Sequence, residues 1–165
     1  MLVNLKDECF SAIKLPSTGW SKSYVGIPFQ DGGREGEALD CWGLLRTVYQ
    51  HELGIDLPSY SDSMYDTSTG LTRGADILAA QLDDHRRSSD WVEVPKGSEQ
   101  LLDAVLLRIM GASIHVALVI DPARSTMLHT EKGVGSITQR YTSPQWVRRV
   151  TGFFRHRLLE GTSHG

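Results

Sequence analysis

Several things are scarce in this sequence, and each shortage closes a class of function. Only two cysteines, Cys9 and Cys41, occur in 165 residues. Neither C-x-x-C nor H-x-x-x-H spacing is present, so the expectation is two reduced thiols, no disulfide scaffold, no metal site and no cofactor. No apolar run approaches the roughly 18 residues of a membrane span, and the opening "MLVNLKDECF" lacks the basic-then-apolar order of an export signal. Synthesis in the cytoplasm without membrane insertion is expected. Basic residues are not in excess either: 17 Lys and Arg stand against 20 Asp and Glu, a net charge of −3. They are scattered rather than striped, so nucleic-acid binding is set aside. Internal repeats and low-complexity tracts are missing too. The polar glycine-rich stretch "QDGGREGE", residues 30–37, lacks the GK[ST] ending of a phosphate-binding loop.

What remains is a chain that is 40% hydrophobic and 22% charged, enough for one globular domain over residues 1–165 with a core of its own. Its two halves differ in period. A short helix around Leu5 to Leu15, ended by Pro16, is expected first. From Cys41 the pattern is helical, with Cys41, Leu44, Leu45, Val48 and Leu53 on one face, Asp40 as N-cap and Gly54 just past the end. Residues 56–70 are rich in turn formers and read as a surface loop. A second helix is expected from Leu71 or Ala75 to Arg87. After that come short β-branched or aromatic runs: Asp103 to Ile109, Ser113 to Asp121, Thr126 to Thr130, Ser136 to Tyr141 and Arg148 to Arg157. The expectation is an α+β fold, N-terminal helices packed on a C-terminal antiparallel sheet of about five strands.

Three residues can carry chemistry. A cysteine at a helix start meets unpaired backbone N–H groups and the positive end of the dipole, which move its pKa from about 8.5 toward roughly 7 and can also hold an oxyanion. A lone cysteine there also serves as a small buried hydrophobe. Asp40 opposes the thiolate unless capping takes up its charge, so a base is required. His115 lies in the most apolar strand, a common place for a hydrogen-bonded core histidine, and His129 lies in the next. If the turn "DPA", Asp121 to Ala123, pairs Ile120 with Arg124 and Val119 with Ser125, His115 faces His129 with Cβ atoms about 5 Å apart. An even loop would turn His129 to the other face. In the functional reading His115 takes the Cys41 proton, and His129 accepts a hydrogen bond from the far imidazole nitrogen.

This order resembles the NlpC-type peptidoglycan cysteine peptidases, a papain-like family. Its D-C-[SW]-G helix start is matched by Asp40, Cys41, Trp42 and Gly43, its H-V-[GA] strand by His115, Val116 and Ala117, and its polar residue one strand later by His129. The runs "GLLRTVYQHELGIDLPSY" and "YVGIPFQDGGR" resemble the phage and prophage tail branch. The resemblance covers about residues 20–155 and implies a Cys-His-His endopeptidase cutting peptidoglycan stem peptides, commonly between D-γ-glutamate and the diamino acid. It also implies incorporation in a phage or phage-like tail, with other tail-tip proteins as partners. Asp40, Trp42, Tyr24 and Phe29 are the implied substrate or oxyanion contacts. Phe29 departs from the pattern: relatives usually carry a tyrosine there, and either Tyr24 or a backbone donor replaces it or this contact is absent. No separate targeting domain is read. Two alternatives follow: an inactive tail-tip module of the same fold, or a thiol acyltransferase or amidase.

Overall fold

The computed structural model describes residues 13–59, 90–109 and 112–162. Among these the α-helical part is a single helix, α1 (Cys41–Val48), which continues into a π-helical turn at Tyr49–Leu53. Asp40 caps it in extended conformation, its carboxylate accepting from the Gly43 N–H at 2.7 Å. Gly54, in the left-handed region at φ 67°, closes it. Leu44, Leu45 and Val48 are fully buried, each contributing about 1.5–3 kcal/mol of burial. The helix expected around residues 5–15 falls mostly outside the described residues, and Ile13 to Leu15 are not helical. The expected helix up to Arg87 lies outside them altogether.

The sheet has six strands, one more than expected: β1 (Trp91–Val94), β2 (Ala104–Ile109), β3 (Ala112–Asp121), β4 (Thr126–Glu131), β5 (Gly135–Arg140) and β6 (Val150–His156). Their order is β1-β6-β2-β3-β4-β5, and every pairing is antiparallel. Strands β2 to β5 form the expected meander, and β6 returns along β2. The strand missed in the sequence is β1, four residues at the sheet edge, held by pairing with the distant β6 from Trp91↔His156 to Val94↔Phe153. The run "WVEV" carries strand-forming residues, but four positions are too few for a period to be read.

Alternation along the strands makes two cores. Val116, Leu118 and Leu128 join Leu44, Leu45, Trp42 and Tyr49 under α1. Ala117, Val119 and Met127 join Val105, Phe153, Tyr141 and Trp146 in a second cluster. The turns between Tyr141 and Val150 hold Trp146 over that cluster, its N–H on the Ser143 carbonyl and its own carbonyl accepting from Arg149 at 2.7 Å. The protein therefore buries both sheet faces, although α1 covers only one.

The β3–β4 register differs from the expected one. Val119 pairs with Met127 and Leu118 with Leu128, two residues away from the expected match. The connection from Asp121 to Thr126 is even, four residues long, with Ser125 at φ 54° and the Asp121 carboxylate accepting from the Arg124 N–H. A bulge between Val119 and Asp121 inserts the odd residue that restores parity. His115 and His129 thus keep a common face, as diagonal neighbours instead of opposed ones.

Candidate active site

The glycine-rich loop ahead of Asp40 folds back onto the first turn of α1. Phe29 and Leu39 form an isolated parallel bridge, and the Asp40 N–H donates to the Gly33 carbonyl at 2.9 Å. The same carbonyl lies where a Cβ on residue 43 would sit, so only glycine fits there. The D-C-W-G run is therefore a packing solution: the aspartate caps, the glycine admits the loop, and the cysteine takes the first helical position between them.

Asp40 is fully buried. Burial raises its carboxyl above the ordinary range, while the Arg34 guanidinium at 3.3 Å and the Gly43 N–H pull it back down. Arg34 is itself buried and was not singled out in the sequence. Its position in a glycine-rich loop reads as solvent-facing, and only the fold-back brings it to Asp40. Here the carboxylate charge that opposes a thiolate is taken up by a guanidinium and a cap.

Cys41 is a buried thiol on one wall of a cleft of about 320 Å³ whose other walls include Phe29, His115, Glu131, Trp146 and Arg149. His115 and His129 meet edge to face, with His115 Nε2 3.0 Å from His129 Nδ1. Trp146 stacks on the His115 ring at 6.2 Å and 18° and meets the His129 ring edge-on at 5.0 Å. His129 Nε2 lies 3.0 Å from Gln139 Oε1 and 3.7 Å from Glu131 Oε1. Burial pushes His115 down to about 3, with His129 adding to the effect. Burial also lowers His129, against the Gln139 hydrogen bond and the Glu131 charge. Both rings are therefore neutral at pH 7, which suits proton transfer during attack better than a standing thiolate–imidazolium pair.

The cleft brings together Cys41, His115 and Phe29, with His129 directly behind His115. It does not contain the Trp42 side chain, which is fully buried in the helix-side core with its indole N–H on the Pro58 carbonyl at 2.8 Å. Tyr24 is not among the lining residues either. Its hydroxyl donates to Glu52 at 2.7 Å, and burial together with Glu52 raises its pKa. No tyrosine hydroxyl among the lining residues replaces the one absent at Phe29. Gln139 and Trp146 were also missed. For Gln139 a signal existed: the three-residue turn Lys132 to Val134 pairs Glu131 with Gly135 and sets Ile137 opposite His129, so Gln139 two residues on shares its face. For Trp146 there was none, because an irregular turn segment has no period to read.

A family model described as NlpC/P60 matches residues 26–155. Among solved structures, an NlpC/P60 family protein from Bacillus cereus superposes with a TM-score of 0.59 at 21% identity, covering 87% of this chain and 41% of that one. A protein from Staphylococcus aureus described as similar to lipoprotein, NLP/P60 family, gives 0.57 at 18% identity, with 88% and 44% covered. The NlpC/p60 domain of the peptidoglycan hydrolase SagA gives 0.50 at 18% identity, with 82% and 92% covered. The chain spans less than half the length of the first two. A comparison with curated proteins finds no match.

Proposed function

The chain belongs to the NlpC/P60 family, and from that premise we propose that it is a cysteine peptidase that hydrolyses the stem peptides of peptidoglycan. One observation carries the reading: a thiol at the first position of α1 shares a cleft with an imidazole whose far nitrogen is held by a second imidazole. In the proposed reaction the Cys41 sulfur attacks the scissile carbonyl while His115 takes its proton. The oxyanion develops against the backbone N–H groups of the helix start. His115 returns the proton to the leaving amine, giving a thioester. Water then attacks the thioester with His115 as base, releasing the acid and restoring the thiol.

The proposal extends to the bond between D-γ-glutamate and the diamino acid, and to a role in phage or prophage tails beside other tail-tip proteins. Its support is the resemblance of residues 24–34 and 43–60 to that branch. Incubation with purified sacculi is expected to release new amino termini, and Cys41→Ala to reduce that release at least about 10³-fold. Release surviving in Cys41→Ala rules the reading out. Mass spectrometry of digested muropeptides identifies the bond and separates hydrolysis from acyl transfer to another acceptor.

A second reading, an inert tail-tip module, is favoured by one observation: Phe29 lines the cleft without a hydroxyl, and the Tyr24 hydroxyl is committed to Glu52. Iodoacetamide at pH 7 discriminates between the two. Rapid alkylation of Cys41 in preference to Cys9 supports the peptidase, and an unreactive Cys41 supports the module.

A further inference from the structure

The polar chain behind His115 continues past His129. Gln139 Oε1, which faces His129 Nε2 at 3.0 Å, also receives the indole N–H of Trp146 at 2.5 Å. An indole nitrogen can only donate. The Gln139 atom it meets must therefore be the amide oxygen, which removes the usual ambiguity between the two ends of an amide. That oxygen only accepts, so the proton of the shared contact sits on His129 Nε2. Glu131 Oε1 lies farther off, 3.7 Å from the same nitrogen, beyond hydrogen-bond distance.

A neutral imidazole carries one N–H. With Nε2 protonated, His129 Nδ1 is bare and accepts from His115 Nε2 at 3.0 Å. The His115 proton is then on Nε2, and Nδ1 is left with a lone pair as the one ring nitrogen that can accept a proton from the cleft. Turning the Gln139 amide over would reverse every step. Its NH₂ would donate to His129 Nε2, His129 Nδ1–H would donate to His115, and His115 would present Nδ1–H, which cannot take a proton.

We propose that Trp146 and Gln139 are positioning residues that set the tautomers of both imidazoles, so that His115 Nδ1 is the proton acceptor in the cleft. The inference rests on the peptidase reading only for the source of that proton, Cys41. The tautomers themselves are observable without turnover.

The test is long-range ¹H–¹⁵N correlation at pH 7 on protein with ¹⁵N-labelled histidine, read beside sacculus hydrolysis. The wild type is expected to show His115 and His129 both as single Nε2–H tautomers. Trp146→Phe removes the donor that pins the amide, so both rings are expected to show mixed tautomers and kcat to fall about tenfold or more. Adding Gln139→Glu supplies a carboxylate that has no donor end. The double variant is expected to recover the single tautomers and most of the lost kcat, which a purely structural role for Trp146 would not produce. Gln139→Met, which keeps the indole, is expected to mix the tautomers as well and covers the case of a misfolded Trp146→Phe. Unmixed tautomers in both single variants, or no recovery in the double variant, overturn the inference. Correct tautomers in a wild type that leaves sacculi intact would overturn the peptidase reading instead.

Discussion

At the start of α1 a full charge is buried and matched, Asp40 against Arg34; across the cleft, on β3 and β4, two ionisable rings are buried and kept uncharged. In the proposed reaction both arrangements serve one sulfur. A carboxylate beside the thiol is tolerable there only because a guanidinium and a helix N–H hold its charge, whereas the proposed use of the imidazoles as bases depends on their not being protonated beforehand. The two walls should therefore answer acid in opposite ways. The folded-state pKa of Asp40 is raised, so the folded protein binds more protons there and its burial cost is relieved as pH falls through that pKa. The histidine pKa values are lowered, so the unfolded chain binds more protons below about 6.5, and the folded state loses stability as pH falls.

The largest expected effect breaks the charged wall. Arg34→Met leaves a buried carboxylate unmatched and should cost about 3–5 kcal/mol at pH 7, measured by urea unfolding. The loss should shrink at pH 4.5, where the stranded carboxyl takes up a proton. Asp40→Asn, which keeps an oxygen for the Gly43 N–H, should couple to it: the double variant should lose at least about 1 kcal/mol less than the two single losses added together. A loss for Arg34→Met below about 1 kcal/mol at both pH values would show that the pair does not hold the charge.

The same contrast explains what could be read from the chain. The helix start is local chemistry: the cap, the thiol and the glycine lie within four consecutive residues, so Asp40, Cys41 and the helix face beyond them were visible in the sequence. The hairpin wall depends on pairing across strands. Face alternation survives a register error of two residues, which is why His115 and His129 were correctly brought together although the expected pairing of Ile120 with Arg124 was wrong. What alternation does not carry was missed: the edge strand β1, whose partner lies some 60 residues on at β6; Arg34, delivered by a loop fold-back; and Trp146, delivered by a turn. Trp42 was misplaced for a related reason. Adjacency to the thiol in sequence put it near the chemistry, but on a helix the next residue points about 100° away, here into the core.

The neutral wall gives the next effect. Between pH 6.5 and about 4.5 His115, kept uncharged by burial, lowers wild-type stability by up to about 1.4 kcal/mol per pH unit, His129 and His156 contributing in the same sense. His115→Gln should remove one such increment from the slope of the urea midpoint against pH, whatever it does to stability at pH 7. An unchanged slope would mean that His115 titrates in the fold as it does in the unfolded chain, so that burial does not hold it uncharged.

The smallest expected effect concerns the point where the walls meet. Phe29 sits on the cleft with Cys41, and the tyrosine hydroxyl named as its substitute from the sequence, that of Tyr24, is held by Glu52. Phe29→Tyr restores a donor at a position the fold already points into the cleft. In a working peptidase it should raise kcat on defined muropeptides by about tenfold, a modest share of what a well-placed oxyanion donor supplies, with KM little changed. In a module whose inertness has a cause beyond the missing hydroxyl it should produce no turnover at all. The variant thus tests whether the residue absent from the helix wall limits a reaction that the histidine wall can still support.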